Sequence, residues 1–305
     1  MSGKRRIDNF EMSESEFLIS VMDRHEKWAV IICLIGGGQE INTGEAGLPE
    51  WFRALQQKFS NWKVYVSNQI TDNEYLQDQS LESVTSGLNY EIDKDLHLAV
   101  SVRSFRSEKL AYLVKSLLDL HITNAQETYN QIRENYSIVV TRDLTKAKEW
   151  LRQKARGSER VGLIASSGGI RLKPYGIWVK NSLEPKNWFL NGKDDIRSSF
   201  FLEDVATEFD VQGLELDWTC LAWDADLRFK NDAWTYNYFK GTKWNAVHKP
   251  ENQTYLLNAY RVLLTRARQG MVIFVPEGDS NDHTRPPSYY DETYNYLKSI
   301  GFEEI

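Results

Sequence analysis

Four short stretches of this chain hold residue types that handle phosphate, placed beside apolar strands or, for the last, at the end of a helix that leads into one. They are Gly36-Gly37-Gly38-Gln39, then Arg103-Ser104-Phe105-Arg106, then Thr207 with "QGLELD" carrying Glu215 and Asp217, then Thr265, Arg266 and Arg268. Three of the four contribute arginine, a carboxylate or both. A guanidinium is planar, always charged and forked, so it suits phosphate. Phosphoryl transfer needs such positive charge on developing negative charge. Each piece is weak by itself; the four together form a constellation.

The elements that must position them alternate. "WAVIICLIGGG" (28–38) reads as a fully buried strand ending in glycines. "LPEWFRALQQKF" (48–59) reads as a helix with Pro49 in its first turn, and "WKVYVS" (62–67) as a strand. The polar stretch 68–95 reads as a linker or domain boundary. Beyond it come a strand at 96–102, helices at 107–120 and near 124–135, and a strand at 137–141. A helix at 143–155 follows, with Asp143 as N-cap, then a strand at 160–166. "DVATEFD" and "DWTCLAW" bracket a turn at Gly213. "YRVLLTRARQGMVIFVP" (260–276) predicts a helix, a glycine stop and a buried strand, and 291–301 predicts a short closing helix. Near-continuous apolar strands alternating with helices imply an α/β fold, a mostly parallel sheet covered on both faces. Ligands of such sheets sit at the carboxyl ends of the strands.

Arg266 and Arg268 fall in the last turn of that helix. Leu256, Leu257, Tyr260, Leu263, Leu264 and Ala267 share its apolar face. Arg266 lies off the face, where solvation and the helix dipole would account for it without any ligand. From Trp223 to Trp244 the chain interleaves aromatics with Lys230, Lys240 and Lys243. That pattern suits a stacking platform for single strands, and equally a satellite core beneath an insertion; the core reading is favoured. His25, His97, His121, His248 and His283 are scattered, and Asp217, Asp224 and Asp226 have no metal-ligand spacing. No metal site is expected.

With 305 residues, 41% hydrophobic and 26% charged, the chain is an ordinary folded protein of about two domains. No apolar run is long enough for a membrane span, and no signal core follows "MSGKRRIDNF". Cys33 and Cys220 both lie in apolar runs, which argues against a disulfide framework and fits a cytosolic, cytoplasmic location. A pI near 5.5 excludes a surface coated in basic charge but leaves room for a local groove.

"YRVLLTRAR" (260–268) resembles the sixth motif of superfamily-1 helicases, and "TEFDVQGLELD" (207–217) the fifth. "VRSFRSEKL" (102–110) is similar to the fourth and "LIGGGQEI" (34–41) to the third, in the same order. The match is closest to a bacterial P-loop family of unassigned function, related to the helicase-like region of Schlafen proteins, and covers roughly residues 11 to 305. It implies a RecA-like fold: the C-terminal remnant of a first domain with its linker over 1–90, and a complete second domain over 91–305 with the aromatic insertion near 223–247.

The resemblance also implies roles. Gln39 senses the terminal phosphate, Arg106 reaches the phosphates, and Arg266 is the arginine finger. Phe105 lies against the base, Glu215 bonds the ribose, and Gly213 and Arg268 complete the nucleotide side. Thr207, with Trp234 and Lys243 of the insertion, contacts single-stranded DNA or RNA. ATP and Mg2+ are the cofactors of the complete architecture. Yet no G-x-x-x-x-G-K-[ST] occurs in the chain, and no apolar strand ends in Asp-Glu. The resemblance places both upstream of residue 1. Three readings follow: the C-terminal portion of an ATP-dependent helicase or translocase completed by a P-loop half; a non-catalytic single-strand-binding or regulatory module; and an inert, aggregating product.

Overall fold

The computed structural model describes residues 12–34, 48–71, 76, 79–97 and 105–305, with side chains of the last stretch from residue 108. Gln39 and the Gly36–Gly38 run lie outside the described residues. So do Arg103, most of the strand expected at 96–102, and the side chains of Phe105 and Arg106. The chain divides into two compact units, Met1–Val100 and Ser101–Ile305.

In the first unit, α1 (Glu14–Met22) is capped by Ser13, whose hydroxyl accepts the Glu16 N–H. α2 (Leu48–Lys58) is amphipathic. Its Ala54 packs with Ile19 of α1 and with Phe59, while Phe52 joins Val66, Ile70, Leu76 and Val84 in a second cluster. β1 (Lys63–Ser67) pairs in parallel with β2 (Asn89–Asp93), and α3 (Leu81–Thr85) lies between them in sequence. The described residues of the polar stretch 68–95 thus include a short 3-10 turn (Asn68–Thr71), α3 and β2. Residues 28–34 differ from expectation more sharply. They form no strand, and Trp28, Val30, Ile32 and Leu34 are largely exposed. A buried parallel strand needs a hydrogen-bonded neighbour on each side, and among the described residues none pairs with this segment.

The second unit is built on one six-stranded sheet of order β11-β3-β10-β6-β4-β5 (Glu303–Glu304, Ser137–Thr141, Ala267–Phe274, Leu216–Ala222, Val161–Ala165, Val205–Ala206). Every recorded pairing in it is parallel. Val139, Leu163, Ala165, Cys220, Val272 and Phe274 pack in one cluster with Ala147 and Leu151 of α6 (Leu144–Lys154). The alternate residues Val140, Ile164, Leu221 and Ile273 are fully buried too, so both faces are covered. Asp143 caps α6, accepting from the Thr145 and Lys146 amides. The remaining helices are α4 (Phe105–Leu118), α5 (Ile122–Ile132), α7 (Pro185–Leu190), α8 (Glu208–Val211), α9 (Pro250–Leu264) and α10 (Asp291–Ser299). Residues 227–246 form a separate antiparallel meander, β7 (Leu227–Lys230), β8 (Ala233–Lys240) and β9 (Lys243–Ala246).

Gly270 is no helix stop. α9 has already ended at Leu264, and Gly270 lies inside β10. A Cβ there would come within 2.7 Å of the Trp218 ring and closer still to the Ser137 carbonyl oxygen, so close strand packing demands glycine. Just before it the ladder slips. Ala267 faces Leu216 and Gly270 faces Trp218, which sets Arg268 and Gln269 against the single residue Asp217. This is a β-bulge, a device that re-aims side chains.

Candidate functional site

A helix end leaves backbone carbonyls without intrahelical partners. At the end of α9 the next two side chains turn back to meet them. Thr265 Oγ1 donates to the Arg261 and Val262 carbonyls, both at 3.0 Å, and Arg266 Nε donates to Val262 O at 2.9 Å. The rest of the guanidinium reaches across the chain: Nη1 donates to Leu214 O at 3.3 Å and Val211 O at 3.4 Å, and Nη2 to Thr265 Oγ1 at 3.0 Å. Arg266 is only 2% exposed. The sequence places it in the last helical turn, off the apolar face. It lies instead in the two-residue link between α9 and β10, because carbonyl oxygens at a helix C-terminus are the acceptors a buried guanidinium requires.

The Leu216 amide also donates to Arg266 O at 2.9 Å. The turn at Gly213, whose φ of +82° suits glycine, is thus fastened to the α9–β10 link by both side chain and backbone. Arg268, carried by the bulge and not by the helix, keeps a largely exposed side chain. Its Nε donates to Glu215 Oε2 at 3.1 Å. The structure therefore brings Gly213, Glu215, Arg266 and Arg268 together.

They do not gather at the carboxyl ends of the strands. Glu215 immediately precedes β6 and Arg266 immediately precedes β10, so both mark amino ends. Thr207 alone follows its strand, β5. Its amide and hydroxyl both donate to Asp210 Oδ2, at 2.8 and 2.7 Å, closing the first turn of α8. A cleft of about 340 Å³ near the amino end of β3 holds Arg133 and Lys154 with Glu134 and Glu303, so it presents no single charge.

The carboxyl edge holds a network that sequence reasoning passed over. Asp226 accepts from Ser166 Oγ at 2.5 Å, Tyr260 OH at 2.6 Å and the Leu227 amide at 3.1 Å. Asp224 accepts from the Arg171 amide at 2.8 Å and Tyr290 OH at 3.0 Å. Glu208 accepts from the Ser167 hydroxyl at 2.6 Å and its amide at 2.8 Å. Burial pushes the Asp224 carboxyl up to about 7, with Asp226 adding to the rise, and pushes Asp226 up to about 6. Glu208 is raised by burial as well. The spacing Asp224-x-Asp226 was weighed only as a metal pattern. Their hydrogen-bond partners lie far along the chain, where no spacing rule reaches. Among the described residues no cluster of His, Cys, Asp or Glu could hold a metal ion.

Trp234, expected against nucleic acid, is placed in the core at 8% exposed. Its Nε1 donates to Leu118 O at 2.8 Å, and its ring stacks on Trp223 with centroids 5.7 Å apart. Phe229 and Tyr296 complete the cluster. Phe229 and Trp234 of the meander thus help build a satellite core, Tyr238 is exposed, and Lys230, Lys240 and Lys243 stand exposed as well.

No helix among the described residues is long and apolar enough to cross a membrane. A family model described as Schlafen group 3, DNA/RNA helicase domain, matches residues 3–277. No curated relative and no solved structure matches the chain.

Proposed function

The chain belongs to the Schlafen group 3 DNA/RNA helicase domain family, and from that premise we propose that it supplies the second, sensor-and-finger side of an ATP-dependent superfamily-1 helicase or translocase with RecA-like domains. One observation carries the reading. The fifth-motif-like turn and the sixth-motif-like link, whose bonded residues are 52 to 55 positions apart, are one hydrogen-bonded unit through Arg266, with Arg268 and Glu215 paired beside it. On this reading Arg266 acts on phosphate, Arg268, Glu215 and Gly213 serve the nucleotide, and Gln39, Arg106 and Phe105 have the phosphate and base roles that the resemblance implies. Thr207 and Lys243 meet the single strand.

The chain's own residues do not by themselves fit ATP and Mg2+. The sequence has no G-x-x-x-x-G-K-[ST] to cradle a triphosphate, and Arg266 spends its donors on carbonyls. Hydrolysis therefore requires a P-loop outside these 305 residues. The test is ATP turnover with single-stranded DNA or RNA, with the P-loop portion supplied, in wild type and Arg266→Ala. The expected result is stimulated turnover that the variant loses. Unfolding curves run alongside separate chemistry from folding, since losing hydrogen bonds from a buried charged donor costs about 2–3 kcal/mol. A folded variant with unchanged turnover sinks the finger assignment.

The missing phosphate cradle favours a second reading, a non-catalytic single-strand-binding or regulatory module. It expects salt-dependent single-strand affinity without nucleotide and no turnover in any combination.

A further inference from the structure

The chain's net charge of -6 is unevenly held. Residues 1–100 carry 9 Lys and Arg against 16 Asp and Glu; residues 101–305 carry 28 against 27. Within the second unit the first part of the crossover from β4 to β5 is basic, whereas its remainder carries Asp194, Asp195, Glu203 and Asp204 against Arg197. Residues 170–193 include Arg171, Lys173, Lys180, Lys186 and Lys193, with Glu184 the one acid. Four of the five cations are exposed, and Arg171 pairs with Asp282.

Local geometry fixes two of them. Ile177 and Val179 are buried, so alternation turns Trp178 and Lys180 outward. Lys180 Nζ donates to Ser167 O at 2.8 Å, and Ser167 is itself held by Glu208, the neighbour of Thr207. Lys173 Nζ sits 4.3 Å from the centroid of the Trp178 ring, which holds the cation on that face. Hydrogen bonds thus link Glu208, the chain neighbour of Thr207, through Ser167 to Lys180, with Lys173 and Trp178 a few residues away on the same crossover.

We propose that this crossover is a phosphate track for single-stranded nucleic acid, with Lys173 and Lys180 contacting successive backbone phosphates next to Thr207. It rests on the nucleic-acid reading above and relocates the contact surface from the aromatic meander, whose Trp234 ring is buried. Ammonium groups on an exposed loop read charge and not sequence. Neutralised phosphates release counterions, so each contact adds about 0.7 to the salt slope for a single strand.

Fluorescence anisotropy of labelled oligo(dT) and oligo(U) across a salt series, without nucleotide, tests this. The proteins are wild type, the double variant Lys173→Ala/Lys180→Ala, and the charge-matched control Lys230→Ala/Lys240→Ala on the meander rim. The expected result is wild-type binding that weakens with salt, a slope lower by about 1.4 in the crossover variant, and affinity at low salt reduced roughly tenfold. Both substituted lysines of the crossover are exposed, so folding is not at issue. Wild-type binding that survives in the crossover variant, or that is lost only in the rim variant, overturns the track and leaves the nucleic-acid reading standing. Failure of wild type to bind either oligomer at low salt overturns both. Equal effects on the two oligomers assign the contacts to phosphate; an effect on one alone assigns them to a sugar-dependent path and counts against a phosphate track.

Discussion

Asp226 gathers a serine from the β4 loop, a tyrosine from α9 and its own neighbour's amide onto one buried carboxylate. Burial raises its pKa from the ordinary 3.8 to about 6. The folded state therefore holds a proton that the unfolded chain has released. Stability is full below pH of about 4 and falls as pH rises through about 6, a loss that Asp224 extends to about 7. Asp226→Asn should flatten the decline between those limits. Its Oδ1 can keep the Tyr260 and Leu227 bonds, and its new amide can donate to Ser166, whose hydroxyl can turn to accept. Urea midpoints measured from pH 4 to 8 check this. A variant curve parallel to wild type would remove Asp226 as a titrating group.

At the scale of elements, β10 shows how tightly this sheet constrains composition. Gly270 faces the Ser137 backbone and the Trp218 ring across less than van der Waals distance for any added carbon. Gly270→Ala should cost about 1–3 kcal/mol, the range for overpacking, with loss read from chemical denaturation of the full chain. Trp234→Ala should cost about 3–5 kcal/mol, because it empties the site between Trp223, Phe229 and Tyr296. A drop of under 1 kcal/mol in that variant would mean that the meander core is dispensable. Much of this architecture was legible in the sequence. α6 with its Asp143 cap, β3, β4, β6 and β10 announce themselves by apolar runs bounded by caps and turns. Arg266 was singled out by its motif, but its burial was not foreseeable. That depends on Val211 and Leu214 carbonyls brought in from another segment. Gly270 misled because glycine after a helical run signals a stop, whereas here two side chains cap α9 and the glycine answers to a neighbouring strand. The run 28–34 misled because apolar content alone does not supply strand partners.

At the scale of the whole molecule, the second unit holds its own six-stranded sheet and core, and the first holds two smaller clusters. A chain of residues 101–305 should fold alone and melt cooperatively. Non-cooperative melting of that piece, followed by calorimetry, would show that the larger unit leans on the smaller. The division has a kinetic side as well. The first unit is acid-rich, and residues 170–193 of the second are basic. A polyanion feels repulsion from one and attraction from the other before any contact forms. Added salt should therefore act chiefly by slowing association with the basic segment. The lifetime of the complex, once the strand is seated, should change far less.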